Sequence, residues 1–252
     1  MNHYLVCKEV MTTNNIQTIE NLNREIVACR LCPRLVAYRE EVAQKKRRMY
    51  LNDAYWGRPL PGFGDPEASV LILGLAPAAH GGNRTGRMFT GDRSGDWLFE
   101  TLYKFGFASS PVSAHRDDGL SLHQAYITAT VRCAPPDNKP LPQERANCQP
   151  YLLRELRLLN NVRVVVALGK IAFDGYLSAR QEMGLEVHKP RPAFGHGVSH
   201  DLPDGKTLVA SYHPSQQNTQ TGRLTREMFE GVFSQVRRLV DAGYKGGQSW
   251  QP

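Results

Sequence analysis

Short apolar segments alternate with segments of helical periodicity along most of the chain. Four of the apolar segments are rich in β-branched residues and are predicted to be buried strands: Ser69–Gly74, Ala125–Thr130, Arg163–Leu168 and Thr207–Ser211. Between them, apolar residues recur at intervals of three and four, as amphipathic helices require. Strands that alternate with helices build a parallel sheet covered by helices on both faces, so the pattern predicts an α/β fold.

The helical segments can be placed by their apolar faces and their breakers. Four faces stand out: Ile19, Leu22 and Ile26; Leu98, Leu102 and Phe105; Tyr151 to Leu159, directly after Pro150; and Met228, Val232, Val236 and Leu239, with Gly243 as the expected stop. We therefore expect one domain over residues 18–243, with flexible ends at residues 1–17 and 244–252.

Composition narrows the class of protein. The chain has 252 residues, and 31 Lys and Arg against 24 Asp and Glu give a net charge of +7. This surplus favours polyanionic partners, chiefly nucleic acid, although the basic run Lys45–Arg48 could equally be a solvated helix end. No apolar run approaches the ~20 residues of a membrane span, and Met1–Asn15 lacks a secretory signal. We expect a cytoplasmic monomer.

Unusual residues follow three of the predicted strands. Gly74–Asn83 comes after the first strand, Val131–Pro140 after the second and Tyr212–Ser215 after the fourth. The carboxyl ends of strands are where open α/β sheets bind ligands, so we expect these loops to form one composite site. The glycine-rich loop has no Gly-Lys-Ser/Thr and contains Pro77, which excludes a phosphate-binding P-loop.

Four of the five cysteines form a candidate metal site. Cys29 and Cys32 make a C-x2-C pair, Cys133 and Cys148 are separated by fourteen residues, and Cys7 stands apart near the start. In a cytoplasmic chain such cysteines could be idle buried thiols, but a close pair with two more in polar, proline-rich sequence indicates metal binding.

The spacing favours a [4Fe–4S] cluster, with zinc as the alternative. Zinc sites usually use two close pairs of ligands, whereas a cluster tolerates thiolates from distant positions. We expect Cys148 to lie just before a helix, where the positive end of the helix dipole favours a thiolate. The metal group would then be structural and would fix the loop that carries Asn138.

Three motifs in order carry a resemblance to a known family. GLAPAAHGGNRTGRMFTGD, VRCAPPDNKP and SYHPS, together with the four cysteines, resemble the family 5 (B-type) uracil-DNA glycosylases over Cys29 to Leu239. The resemblance implies a three-layer α/β/α sandwich with a central four-stranded parallel sheet. It also implies a [4Fe–4S] cluster on Cys29, Cys32, Cys133 and Cys148, and excision of uracil from DNA in base-excision repair.

The resemblance also assigns roles within the composite site. Phe89 resembles the aromatic residue that stacks on a flipped base, although a core phenylalanine is the simpler alternative. Asn138 offers an amide donor and acceptor to the base edge, and Ala79 and His80 lie in the same pocket. His213 resembles the histidine that donates to a base oxygen as negative charge grows on the departing base.

The chain departs from better-known glycosylases at two positions. Ala76 stands where others have a water-activating Asp or Asn, and Ala129 stands where several families have a uracil-reading Asn. We therefore expect a permissive pocket that also accepts hypoxanthine or xanthine. Asn83 and Asp92 are the candidates for positioning the water, although Asp92 could simply cap the helix after Ser94.

Contacts to DNA are expected from the loop after the fourth strand. Its candidate residues are Ser215, Gln216, Asn218 and Arg223, and a plain polar surface loop is the alternative. Two other functions remain possible on the same residues: a non-catalytic iron–sulfur DNA-binding protein, and a zinc-stabilised hydrolase that acts on a nucleotide.

Overall fold

The computed structural model describes residues 18–242, and in this part of the chain a six-stranded sheet forms the centre of the molecule. The strands are β1 (Phe63–Gly64), β2 (Val70–Gly74), β3 (Ala125–Ala129), β4 (Val164–Leu168), β5 (Ser199–Asp201) and β6 (Thr207–Ser211), in the order β1-β3-β2-β4-β6-β5. The four predicted strands are the four inner ones, and they are parallel to one another. The predicted α/β fold is confirmed.

The two outer strands extend the sheet beyond the four that were expected. β1 pairs with β3 and β5 pairs with β6, both in the antiparallel sense. They are two and three residues long, and their side chains are half-buried or exposed. Segments of two and three residues are too short to carry a run of apolar residues, which is why the sequence pattern did not reveal them.

Helices cover both faces of the sheet. Within the described residues they are α1 (residues 18–28), α2 (Pro33–Lys45), α3 (Gly82–Thr85), α4 (Arg93–Lys104), α5 (Pro142–Leu158), α6 (Lys170–Glu182), α7 (Gln216–Gln220) and α8 (Arg226–Ala242), with 3-10 turns at Arg48–Tyr50 and Pro136–Asn138. None of them is long and apolar enough to cross a membrane.

Alternate residues of the inner strands divide the core into two layers. Ile72 and Val166 face a layer that contains apolar residues of α4 and α8. Leu73 and Val165 face the opposite layer, which contains apolar residues of α1, α5 and α6. Since successive side chains of a strand point to opposite faces, this division produces the α/β/α sandwich.

One predicted helix boundary differs from the structure, and another falls outside the described residues. Helix α5 begins at Pro142, so the expected start at Pro150 is wrong. Pro142 occupies the first turn, where a missing N–H costs nothing, and the Glu144 carboxylate accepts from the Leu141 N–H at 2.7 Å. Pro150 lies inside the helix. The expected stop of α8 at Gly243 falls outside the described residues, as do both predicted flexible ends.

A buried ion pair links the segment that follows β3 to α5. Arg132, which is 1% exposed, pairs with the fully buried Glu155, and the Thr128 hydroxyl donates to the same carboxylate oxygen at 2.8 Å. The adjacent Glu155 carboxylate raises the pKa of Arg132 against the opposing effect of burial. Buried charges persist only when paired, so this contact fixes the position of the segment that continues into Cys133.

Candidate active site

The ends of the parallel strands bring Phe89 and His213 together. Their rings stack with a centroid distance of 5.7 Å and an angle of 28°. Gly74, at the end of β2, makes room for the Phe89 ring, because a Cβ there would lie 2.7 Å from it. Gly169, just after β4, lies beside His213, and its φ of +95° is one that glycine adopts readily. The carboxyl edge of the sheet therefore carries an aromatic ring against an imidazole.

The backbone of Phe89 is held in a conformation that L-residues rarely adopt. Its φ is +53°, which costs about 1–3 kcal/mol in a residue other than glycine. Gly95 allows the start of α4 to approach closely, since a Cβ there would lie 1.8 Å from the Phe89 carbonyl oxygen. The next carbonyl, of Thr90, accepts from the Thr85 hydroxyl at 3.1 Å. These contacts fix the ring at the site despite the strain.

His213 is a neutral imidazole at physiological pH. Burial lowers the pKa of His213 from its ordinary 6.5 to about 4, because a charged ring would lose its hydration. Its backbone carbonyl accepts from the Asn218 side-chain amide at 2.8 Å. A neutral imidazole still has one N–H to donate, so His213 can stabilise a developing negative charge without a prior protonation.

Asp92 combines a structural contact with a free carboxylate oxygen. Its Oδ1 accepts from the N–H groups of Ser94 and Gly95 at 2.9 and 3.1 Å and so caps α4. Its Oδ2 lies against Gly81, where a Cβ would be 2.1 Å away. Burial raises the pKa of Asp92 against the opposing effect of the capping bonds. Its predicted role as a helix cap is present in the structure, and Oδ2 remains turned toward the loop after β2.

Asn83 is fully buried and joins that loop to α2. Its side-chain Nδ2 donates to the Arg39 carbonyl at 3.2 Å, and its Oδ1 has no partner within the described part of the chain. A buried acceptor without a partner is costly unless a water or a ligand satisfies it. Asn83 therefore retains the capacity to bind a water through Oδ1.

The other predicted pocket residues have different surroundings. His80 is bonded through Nδ1 to the Tyr55 hydroxyl at 2.9 Å, and burial lowers its pKa. Ala79 beside it is half-buried. Asn138 is exposed, has a φ of +57°, and its side chain makes no hydrogen bond within the described residues. Its amide is thus free to bind a ligand.

The two alanines that mark the departure from related glycosylases are both in apolar surroundings. Ala76 packs against the apolar group that contains three of the cysteines. Ala129 ends β3 directly beside Gly74 and is buried. Neither position offers a polar atom beyond the backbone, so no side chain there can activate a water or read a base.

The loop after β6 carries the predicted DNA contacts. Ser215 caps α7 by accepting from the Asn218 N–H at 3.4 Å, and Gln216 is exposed. Asn218 already uses its amide to hold the His213 carbonyl. The guanidinium of the exposed Arg223 lies 4.7 Å from the centre of the Tyr212 ring. The loop therefore both positions His213 and presents polar groups to solvent.

Three of the four candidate metal-binding cysteines share one small apolar group. Cys32, Cys133 and Cys148 are buried there with Leu35 and Val131, and Cys29 is half-buried nearby. Cys148 lies within α5, so its expected place before a helix start is wrong, and the helix dipole does not act on it as predicted. Cys7 lies outside the described residues.

The thiols are surrounded by hydrogen-bond donors. Arg39, only 2% exposed, donates from Nη1 to Cys133 Sγ at 2.9 Å, and Asn147 Nδ2 donates to Cys32 Sγ at 3.4 Å. Burial raises the pKa of Cys133 to about 12 and that of Cys148 to about 11. Among the described residues, no three Cys, His, Asp or Glu side chains are grouped so that they could hold one metal ion.

Sequence reasoning missed several residues that build the site. Gly74 and Gly169 end or follow predicted strands, and glycine at a strand end is a signal of close approach that could have been used. Arg39 gave no signal, because an arginine in a polar helix looks like a surface residue. Its burial depends on the Cys133 and Asn83 contacts, which join segments far apart in the chain.

Comparisons with known proteins agree with this geometry. The model of the uracil DNA glycosylase superfamily matches residues 61–237. The chain is 55% identical to a type-5 uracil-DNA glycosylase of Thermus thermophilus, over 85% of this chain and 95% of that protein. It is 52% identical to one of Mycobacterium tuberculosis, over 88% of this chain and 82% of that protein. A type-4 enzyme of Thermotoga maritima is 28% identical, over 70% and 82% respectively. The chain belongs to the type-5 uracil-DNA glycosylases of this superfamily.

Proposed function

We propose that this protein excises uracil from DNA by hydrolysing the N-glycosidic bond, as the first step of base-excision repair. The observation that carries the proposal is the Phe89–His213 pair at the carboxyl edge of the parallel sheet, with a stacking surface beside a neutral hydrogen-bond donor. The membership of the family and the names of its relatives support it.

Recognition of the base would combine stacking and hydrogen bonding. A nucleotide must leave the duplex before an enzyme can reach its glycosidic bond. The fixed ring of Phe89 offers a flat apolar surface to the extruded base. The exposed amide of Asn138 offers both a donor and an acceptor to the edge of that base.

Cleavage of the bond places negative charge on the base and positive charge on the sugar. The electron pair of the C1′–N bond leaves with the base, a water oxygen then forms the new bond to C1′, and the proton that this water loses neutralises the base anion. His213 would donate its N–H to a base oxygen as the negative charge grows. His213 is half-buried, and a base stacked on Phe89 would exclude water from this hydrogen bond and so strengthen it.

The attacking water would be held by side chains other than that of Ala76, which follows β2. Ala76 has no polar side chain, whereas Asn83 has a buried acceptor without a partner and Asp92 has a carboxylate oxygen turned toward the same loop. We assign Asn83 and Asp92 to the water and to the stabilisation of positive charge on the sugar. When the sugar cation forms before the water attacks, the water needs only a hydrogen-bond acceptor that positions it, and no strong base.

The range of bases would extend beyond uracil. At Ala129 the pocket lacks an amide that would select the hydrogen-bonding edge of uracil, and the exposed Asn138 amide can present either its donor or its acceptor to the base. A site that does not demand a particular polar edge discriminates weakly between bases. We include hypoxanthine and xanthine, the deamination products of adenine and guanine, among the substrates.

We further propose that Cys29, Cys32, Cys133 and Cys148 bind a [4Fe–4S] cluster. The donors are soft thiols from three separate segments, and the N–H groups of Arg39 and Asn147 point at two of the sulfurs, as is common around iron–sulfur ligands. When bound, the cluster would supply covalent cross-links rather than redox chemistry. Those links would hold the Cys29–Cys32 turn beside the loop that carries Asn138.

DNA would be bound at the same face of the molecule. Ser215, Gln216 and Arg223 lie in the loop that follows His213 and present polar or cationic groups to solvent. Contacts from such groups to phosphates would position the duplex without reading its sequence. We assign Asn218 chiefly to the positioning of His213, because its amide is already bonded to that residue.

The test of the proposal is excision from a uracil-containing oligonucleotide, detected as strand cleavage after alkali. We expect His213→Ala to lower the single-turnover rate by about 10²–10³-fold, the usual cost of losing one donor to a developing negative charge. DNA binding should be retained. His188→Ala, an exposed histidine bonded to Asp201, is the matched control and should keep the full rate. No cleavage of any deaminated base by the unaltered protein would refute the proposal.

Two substitutions separate the structural and chemical roles of Asp92. Asp92→Asn keeps an oxygen that can cap α4 but removes the carboxylate charge, whereas Asp92→Ala removes both. We expect both variants to lose excision rate by a similar factor, and only Asp92→Ala to lose about 1 kcal/mol of stability in urea denaturation. A full excision rate in Asp92→Asn would limit Asp92 to capping.

The cluster proposal predicts colour and composition. The purified protein should be brown, with iron and sulfide each at about four per chain. Cys32→Ala should lose most of the colour and melt at a lower temperature, while Cys7→Ala should keep both. Bound zinc in a colourless protein would contradict the cluster and favour the alternative metal.

A further inference from the structure

A groove of about 890 Å³ is bounded by α1, α2, the segment 56–61 and Arg116. Its charged residues are five arginines and a single carboxylate: Arg24, Arg30, Arg39, Arg58, Arg116 and Glu40. This imbalance is local and exceeds the modest positive surplus of the whole chain, which indicates an anionic ligand.

Some of these charges are already used inside the protein. Arg30 is paired with Glu40 at 2.6 and 3.1 Å, and the buried Arg39 donates to Cys133. Arg24, Arg58 and Arg116 are exposed. Arg116 touches Asp117 at 3.2 Å, but both side chains are largely exposed and such a pair is weak. Three cations therefore remain available to a ligand.

The Trp56 ring contacts two of the three available arginine side chains. The guanidinium of Arg116 lies 4.4 Å from the centre of the Trp56 ring, and that of Arg58 lies 5.7 Å from it. The indole N–H donates to the Pro59 carbonyl at 3.1 Å, which fixes the ring. Because guanidinium groups already cover the ring, it is a support for cations and not a surface on which a base can stack.

The groove is connected to the site through α3. The N–H of Trp56 donates to the Arg84 carbonyl at 2.9 Å, and the N–H of Arg116 donates to the Thr85 carbonyl at 3.2 Å. Only two residues, Arg87 and Met88, separate Phe89 from Gly86, where a Cβ would lie 2.9 Å from Arg116 Cδ. The three chain steps from Gly86 to Phe89 span at most about 10 Å, which corresponds to about three steps along one DNA strand.

We propose that this groove binds the sugar–phosphate backbone of the DNA substrate, beside the segment that carries the flipped nucleotide. Arg24, Arg58 and Arg116 contact successive phosphodiester groups, and the contacts are independent of base sequence. The inference rests on the proposed function in that the polyanion is taken to be DNA. It adds a second contact surface to the loop after β6, so the duplex is held on two sides of the site.

The test is the salt dependence of binding to a long undamaged duplex, followed by fluorescence anisotropy. Each phosphate contact contributes about 0.9 to the slope of log K against log salt. We expect Arg58→Gln/Arg116→Gln to make the slope shallower by about 2 and to weaken binding at low salt. Arg157→Gln/Arg238→Gln, which neutralises two exposed arginines on α5 and α8 outside the groove, is the charge-matched control and should leave the slope unchanged.

A second variant removes a negative charge from the groove, so its expected effect on binding is opposite to that of the arginine variants. A general loss of folding could not produce that effect. Glu40→Gln removes the single carboxylate of the groove and releases Arg30, so it should tighten binding and steepen the slope by up to about 1. Slopes equal to that of the unaltered protein in both groove variants would overturn the proposal. Excision of uracil by the unaltered protein is measured in parallel, so failure of the groove and failure of the glycosylase function are distinguishable.

Discussion

The arrangement of the site depends on the contact of Phe89 with His213 across the carboxyl edge of the sheet. The Phe89 ring reaches its place because the end of β2 at Gly74 lacks a side chain, and His213 lies beside Gly169, just after β4. The strained backbone of Phe89 persists because the packing of Gly95 and the Thr85 hydrogen bond leave it no alternative. The register of the sheet therefore determines whether the stacking ring and the hydrogen-bond donor meet, since a shift of one residue would separate them.

Buried arginines hold together the segments that surround the cysteines. Arg39 bonds to Cys133, and its backbone carbonyl accepts from Asn83. Arg132 pairs with Glu155 and fixes the chain just before Cys133. The group of thiols and the loop after β2 are thus coupled through Arg39 of α2, so the cluster proposed at the cysteines would act mechanically on the proposed water site.

The sequence was most informative where a pattern has one physical cause. The inner strands were predictable because each is a short run of apolar residues buried on both faces, and β6 has the predicted bounds. The meeting of Phe89 with His213 followed from the rule that parallel strands end at one edge. The start of α5 was missed because Pro150 looked like a first turn, although Pro142 serves that purpose. Arg39 was missed because its burial arises from contacts between distant segments.

The most direct test of the account is the pH dependence of the single-turnover rate of uracil excision. Burial lowers the pKa of His213 to about 4, so the donor stays neutral from about pH 5 upward. If His213 donates as a neutral imidazole, the rate shows no change attributable to it between about pH 5 and pH 8. A transition with its midpoint near 6.5, present in the unaltered protein and absent from His213→Ala, would show that the imidazole is solvated and titrates normally, and would contradict the account.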